Sequence, residues 1–573
     1  MATELISLGI LFFCAIIGGL IAARFKQPAV FGLLLVGAII GPSSLNLVQD
    51  SKMIEMMADF GAILMLFIIG LEFDISKLMK IGARSILIGL LKFAIVLFFG
   101  YETTLLLGFS VKVALFVGVI LSFSSTIVVV KVLEQKEMFG RREVPLLIAV
   151  LIIEDILAVF TLTFFSGVKD AGNGFLPLLE HIVFALAVLV LAYFIVMKIL
   201  RYLVNVLLRN SNDESVLTFL SLGLGALFSY FAAWLGLTPS AGAFLAGSLV
   251  ASLPNAKDYG RAIHPYALIF TSVFFIAMGT FVNFGSVQEN VPLIVALLVT
   301  IVISRFIAIG FLTQLLANFK NEQPVFSSLA MISVGEFSLL VAKESEKFAL
   351  GIDLVSITAS IIFMSAIIMS LSINYSEGIH NALGSRVPLR AKLRLEKISA
   401  YMRKFFDQME IENHFTTKMK SDSKGVFALM LATLFILFML RRISLLIQPS
   451  LNIFLLYGFY AAGGILMIYL AHLIYRRLAV LHHTLSVILT NVDSSRNLKK
   501  CTKILNNLVS ALVLFFSAML FPFAMFALNL NPWANIVPFV LVIVAFYYIR
   551  NFILLIDGSQ TFSYSASVAA AKF

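Results

Sequence analysis

Apolar runs long enough to cross a bilayer recur along most of the chain, separated by short polar loops. A membrane helix needs about 20 mostly apolar residues. Thirteen such stretches precede residue 375, at about 5–23, 28–46, 54–72, 84–107, 111–131, 144–166, 177–207, 215–235, 238–253, 263–282, 290–317, 323–343 and 352–373. Four more follow, at about 426–446, 451–475, 504–528 and 533–556. The pattern predicts an all-α polytopic membrane protein.

The loops set its orientation. Arg24 and Lys26 follow the first stretch, Lys77, Lys80 and Arg84 the third, and Lys136, Arg141 and Arg142 the fifth. Lys198, Arg201 and Arg209 lie around the end of the seventh, Lys257 and Arg261 follow the ninth, Lys320 the eleventh, and Arg386 and Arg390 the thirteenth. Lysine and arginine in short loops mark the cytoplasmic side. The amino terminus is therefore expected outside, and residue 390 and the carboxyl terminus inside. The first stretch has no basic leading segment and no obvious cleavage site, so it reads as an uncleaved span.

Residues 386–425 change character. The segment AKLRLEKISAYMRKFFDQMEIENHF has apolar residues at helical spacing, and eight basic residues fall between 391 and Lys424. It predicts a cytoplasmic amphipathic linker helix lying on the membrane or under the core. The chain thus divides into a membrane domain (1–385), the linker (386–425) and a basic carboxyl-terminal membrane region of about four spans (426–573). A basic loop with Arg476, Arg477, Arg496, Lys499 and Lys500 is expected within that last region.

Composition agrees. Of 573 residues, 60% are hydrophobic and 13% charged, with mean hydropathy +1.02; soluble proteins carry about 25% charged residues. The net charge is +11, yet residues 1–390 hold 24 Lys+Arg against 24 Asp+Glu, so the whole excess lies in the tail. Such a tail suits an anionic inner leaflet, and no nucleic-acid partner is expected. Cys14 and Cys501 give neither a disulfide framework nor a Cys/His metal site. No HExxH, P-loop, nucleophile elbow or GxGxxG turn is present, which argues against an enzyme and against a nucleotide-binding regulatory domain.

Three features carry candidate chemistry. Glu154 and Asp155 interrupt the apolar stretch Leu146 to Phe165. A charge at that depth costs from about 2.5 kcal/mol upward, so such residues mark ion or proton pathways. Helical neighbours point about 100° apart, so one carboxylate should line a cavity while the other meets a partner. Ser122, Ser124, Ser125 and Thr126 interrupt the fifth stretch, where an unwound helix could expose carbonyls to a cation. Arg305, deep in the eleventh stretch, requires a carboxylate, and Glu336 in SVGEFS marks another helix break. A buried Glu154–Arg305 pair is the expectation. Lys92 is read as a snorkelling lysine and left out of the site.

GLEFD (70–74), SFSSTIVVV (122–130), IEDILAV (153–159), LGLTPSAGAFLAGSLVAS (235–252), FFIAMGTFVNF (274–284) and GEFSLLVA (335–342) resemble the second monovalent cation:proton antiporter family, the Kef-type and NapA-like exchangers. The resemblance covers residues 1 to about 385. It implies a thirteen-helix inverted-repeat fold in which broken helices five and twelve cross, and in which a core moves against a fixed dimerisation domain. It places the ion-binding aspartate at Asp155, with Glu154 and Arg305 at positions where relatives carry other residues, and it implies a homodimer. The reading is a secondary antiporter with no cofactor, whose substrates are protons and one monovalent cation, Na⁺ or K⁺, bound at Asp155 with Ser124, Ser125 or Thr126. Transport is expected to be electroneutral. The alternative is an ion-gated channel or membrane sensor built on the same fold.

Overall fold

The computed structural model describes residues 2–72, 83–170, 195–199, 214–426 and 453–557, with 429, 433 and 436, except for 26–27, 49–50, 139, 236, 254–255, 318, 385–387, 411–414, 420, 493–496 and 529–535. The stretches at 177–207 and 426–446 fall almost wholly outside the described residues. Among the described residues the chain is essentially all helix. Eight helices are long and apolar enough to span a membrane, and shorter apolar helices lie among them. The protein is a multi-pass integral membrane protein.

The helices form two packed sets. The first contains α1 (Ala2–Arg24), α2 (Ala29–Ile40), α3 (Ser51–Glu72), α8 (Glu214–Trp234), α9 (Pro239–Ala251) and α10 (Ala256–Thr280). In it α3 lies against α9 and α10, and α10 against α2. Small residues permit this closeness: a Cβ on Gly247 of α9 would stand 2.0 Å from the Phe67 carbonyl of α3. Helix α2 stops at Ile40, short of the expected residue 46, because Gly41 and Pro42 end it.

The second set is a bundle with the same pattern twice: a long helix, a broken helix, a long helix. The first pass is α4 (Ala83–Leu106), α5 (Val111–Ser122) with α6 (Thr126–Gln135), and α7 (Val144–Asp170). After the short α11 (Phe284–Glu289) the second pass begins with α12 (Val291–Arg305), a π-helical turn at Phe306–Phe311 and α13 (Leu312–Leu316). It continues with α14 (Gln323–Ala330) and α15 (Glu336–Ser345), then α16 (Leu354–Ser372). Large apolar side chains such as Phe116, Phe123, Phe326 and Phe337 fill its centre. Among the described residues, Lys343 Nζ of α15 in the second set lies 2.6 Å from Asp59 Oδ1 of α3 in the first. The Asn283 amide, in the link between α10 and α11, donates to Ser356 Oγ of α16 at 2.7 Å.

Beyond α17 (Ser376–Gly384) come α18 (Leu389–Glu410), α19 (Ile453–Val492), α20 (Leu498–Leu528) and α21 (Ile536–Asp557). The apolar face of α18, with Ile398, Tyr401, Met402, Phe405 and Phe406, is buried against protein. Arg476 and Arg477 do not lie in a loop as expected; both sit within α19, which runs for 40 residues. That is about 60 Å at 1.5 Å per residue, twice the apolar thickness of a bilayer. The helix continues because Leu481, Leu485, Ile488 and Leu489 extend an apolar stripe past the two arginines.

Candidate functional site

The two broken helices meet at their breaks. Helix α5 ends at Ser122, Phe123–Ser125 are extended, and α6 restarts at Thr126 with the Ser125 hydroxyl accepting from the Val128 amide. Helix α14 ends at Ala330 and α15 restarts at Glu336. The extended segments run antiparallel: the Ser125 amide donates to the Ser333 carbonyl and the Gly335 amide to the Phe123 carbonyl, each at 3.1 Å. The Val334 amide donates to Ser365 Oγ at 3.0 Å. Polar backbone at membrane depth must find partners inside the protein, and the crossing supplies them. A Cβ on Gly335 would stand 2.6 Å from the Ser124 carbonyl, so only glycine lets the strands approach.

Charges surround this crossing. Lys92 of α4 is fully buried; its Nζ lies 2.6 Å from Glu154 Oε2 and donates to the Ser122 carbonyl at 2.6 Å and to Ser124 Oγ at 2.9 Å. The Ser124 amide donates to the same Glu154 oxygen at 2.8 Å. Arg305, also fully buried, donates to the Leu121 carbonyl at 2.9 Å and the Ser122 carbonyl at 3.5 Å. Two cations therefore sit on the carbonyl end of α5, where the helix dipole is negative. Glu336, in the first turn of α15, accepts from Ser125 Oγ at 3.0 Å. Thr126 Oγ1 reaches both Asp155 oxygens at 3.4 and 3.5 Å. Asp155 is 7% exposed and Glu154 1%, so the two neighbours do differ in surroundings.

The structure thus gathers Ser122, Ser124, Ser125, Thr126, Glu154, Asp155, Arg305 and Glu336 around one crossing. Two expectations are corrected. Glu154 is paired with Lys92, not Arg305, and Arg305 is held by carbonyls that the break in α5 frees. Lys92 does not snorkel. It lies about 12 Å along α4 from Arg84 at 1.5 Å per residue, beyond the reach of its own stem. That depth, with a carboxylate pair and a serine cluster elsewhere in the chain, was the signal that could have assigned it.

Discontinuous helices meeting at a buried charge cluster within a bundle of apolar helices are the architecture of a secondary transporter. A family model described as the transmembrane part of sodium/hydrogen exchangers matches residues 9–375, and the chain belongs to that family. It is similar to the Na(+)/H(+) antiporter of Enterococcus hirae, 29% identical over 333 residues, covering 57% of this chain and 85% of that one. It is also similar to the Na(+)/H(+)-K(+) antiporter GerN of Bacillus cereus, 27% identical over 330 residues, covering 57% and 84%. The solved structure of the sodium proton antiporter MjNhaP1 from Methanocaldococcus jannaschii superposes with a TM-score of 0.51 at 18% identity, covering 66% of this chain and 99% of that one. That likeness establishes the fold.

Proposed function

We propose that this antiporter exchanges one monovalent cation, Na⁺ or K⁺, for one proton at Asp155, in alternating access. Membership of the exchanger family supports cation:proton antiport. The observation that carries the assignment of the site is the position of Asp155, beside the break between α5 and α6, with the Thr126 hydroxyl against it.

Proton and cation compete for one carboxylate, and that competition couples their fluxes. A hard cation takes oxygen ligands, here the Asp155 carboxylate, the Thr126 hydroxyl and carbonyls of the extended segments. Ser124 and Ser125 contribute after turning from Lys92 and Glu336, to which their hydroxyls are now bonded. Counted as ionised, the cluster holds Lys92 and Arg305 against Glu154, Asp155 and Glu336, one negative charge in excess. One proton or one cation neutralises it. A bare buried charge is costly, so the bundle crosses only when loaded, and a 1:1 exchange follows.

In this reading the bundle α4–α7 with α12–α16 shifts against the frame α1–α3 with α8–α10. The frame also forms a homodimer. The amino terminus faces outward, and residue 390 and the carboxyl terminus face the cytoplasm. The linker and the basic region 426–573 regulate transport near anionic lipids. The test is cation-driven dequenching of a pH gradient in proteoliposomes with Li⁺, Na⁺, K⁺ and Rb⁺ in turn. Response to one or more of these, lost in Asp155→Asn, is the expected result. Full response from that variant overturns the site.

A further inference from the structure

The family match ends at residue 375, but the helices beyond it hold the transport bundle closely. Helix α18 packs on α13, and α20 packs on α4 and α5. At the end of the bundle where α4 begins, Arg84 Nη2 lies 3.0 Å from Asp407 Oδ1, and its guanidinium stands 5.4 Å from the Phe406 ring centroid. Ser399 Oγ donates to the Gln314 carbonyl at 2.6 Å, and Lys320 pairs with Glu396 at 3.5 Å. Further along the bundle the grip is aromatic. Phe523 of α20 meets Phe164 of α7 edge-on at 5.0 Å, and Phe539 of α21 meets Phe98 of α4 at 5.8 Å.

These anchors divide in a telling way. Arg84 and Phe98 stand on one helix, about 21 Å apart at 1.5 Å per residue. A body held at both heights cannot tilt away without losing one set of contacts. Helix α18 also bridges the two repeats, since Arg84 belongs to the first pass and Gln314 and Lys320 to the second. Edge-to-face aromatic pairs gain from ring electrostatics as well as from buried area, so the grip does not rest on exposed ion pairs alone. Every anchor named falls on the bundle that carries Asp155.

We propose that the tail helices α18, α19, α20 and α21 are a passenger of the transport bundle: they travel with the ion site through the cycle instead of staying with the frame. This rests on the reading that the bundle moves. It makes the tail a handle, because whatever holds its basic residues Arg476, Arg477, Lys499 and Lys500 also holds the ion site.

The test is pulsed dipolar spectroscopy on the full chain in proteoliposomes, with Cys14 and Cys501 replaced and exchange retained. Spin labels are placed pairwise at Arg261→Cys on the frame, Glu134→Cys on the bundle and Lys499→Cys on the tail. Samples at acid pH without cation are compared with samples at alkaline pH with Na⁺. The expected result is that both distances from residue 261 change together while 134–499 stays constant. A changing 134–499 distance with a constant 261–499 distance assigns the tail to the frame and overturns the proposal alone. Three constant distances overturn the bundle motion and the passenger assignment with it.

Discussion

Lys92 and Glu154 face each other across 2.6 Å, both sealed from solvent, and both hold the same break in α5. Removing one partner leaves the other charge buried alone, at a cost of about 3–5 kcal/mol. Lys92→Met and Glu154→Gln should each lower the melting temperature in detergent clearly. The double variant should recover most of the loss, because it leaves no orphan charge. Additive losses in the double variant would mean that the two side chains act separately.

Asp155 is the proposed meeting point of proton and cation. Asp155→Asn keeps the shape and a polar group but cannot carry the exchangeable charge. Cation-driven proton flux should vanish while the protein remains monodisperse with an unchanged melting temperature. In the native protein, acidification should raise the apparent KM for the cation, since protons compete. Where the proton-bound form dominates, the rise approaches about tenfold per pH unit, the equivalent of about 1.4 kcal/mol. An apparent KM constant across that range would rule out competition at one carboxylate.

Gly335 tests the crossing itself. A methyl group there would meet the Ser124 carbonyl at 2.6 Å, and both segments are pinned by mutual hydrogen bonds. Gly335→Ala should push the strands apart, destabilise the protein by about 1–3 kcal/mol as overpacking does, and reduce exchange more than it reduces folded yield. Flux per folded protein equal to that of the native chain would show that the close approach is dispensable.

Lys343 and Asp59 join the bundle to the frame at 2.6 Å. A pair this accessible is worth about 0.2–1 kcal/mol, enough to bias two conformations about 1.4- to 5-fold. Asp59→Lys should shift transport rate or apparent cation affinity within that range, and adding Lys343→Asp should restore it. Failure of the reversed pair to restore the native values would exclude the ion pair as the cause.

Much of this site can be read from the sequence, and the misreadings share one physical cause. The breaks are visible because hydroxyls and glycine interrupt otherwise apolar spans, and Glu154–Asp155 is visible because carboxylates are rare at that depth. Which cation meets which carboxylate is a tertiary matter. Lys92 and Glu154 are on different helices, and nothing local to either residue names the other. Arg305 was expected to need a carboxylate because its natural acceptors, the carbonyls of Leu121 and Ser122, exist only once α5 has unwound. The same limit applies in the tail, where two arginines read as a loop although the apolar stripe beyond them keeps α19 helical.

In the proposed exchange, with every group ionised, the cations Lys92 and Arg305 stand against three carboxylates, so the cluster loaded with one proton or one cation is neutral. Arg305 keeps its proton under all conditions in a protein, and the Lys92–Glu154 pair is held by three further hydrogen bonds to the break. For a second proton to move, Glu154 would have to protonate while Lys92 stayed charged, leaving an uncompensated buried cation at a cost of about 3–5 kcal/mol. The alternative is that Lys92 itself loses a proton in one half of the cycle, which would add a second carrier and make transport electrogenic. The neutral case predicts exchange that is insensitive to an imposed membrane potential, and no sustained current on a solid-supported membrane after a cation jump. Lys92→Met with Glu154→Gln should leave that behaviour unchanged, because the pair contributes no net charge to either loaded state. A native current that reverses at a 2:1 proton-to-cation gradient and disappears in the double variant would identify Lys92–Glu154 as the second proton carrier and overturn the 1:1 assignment.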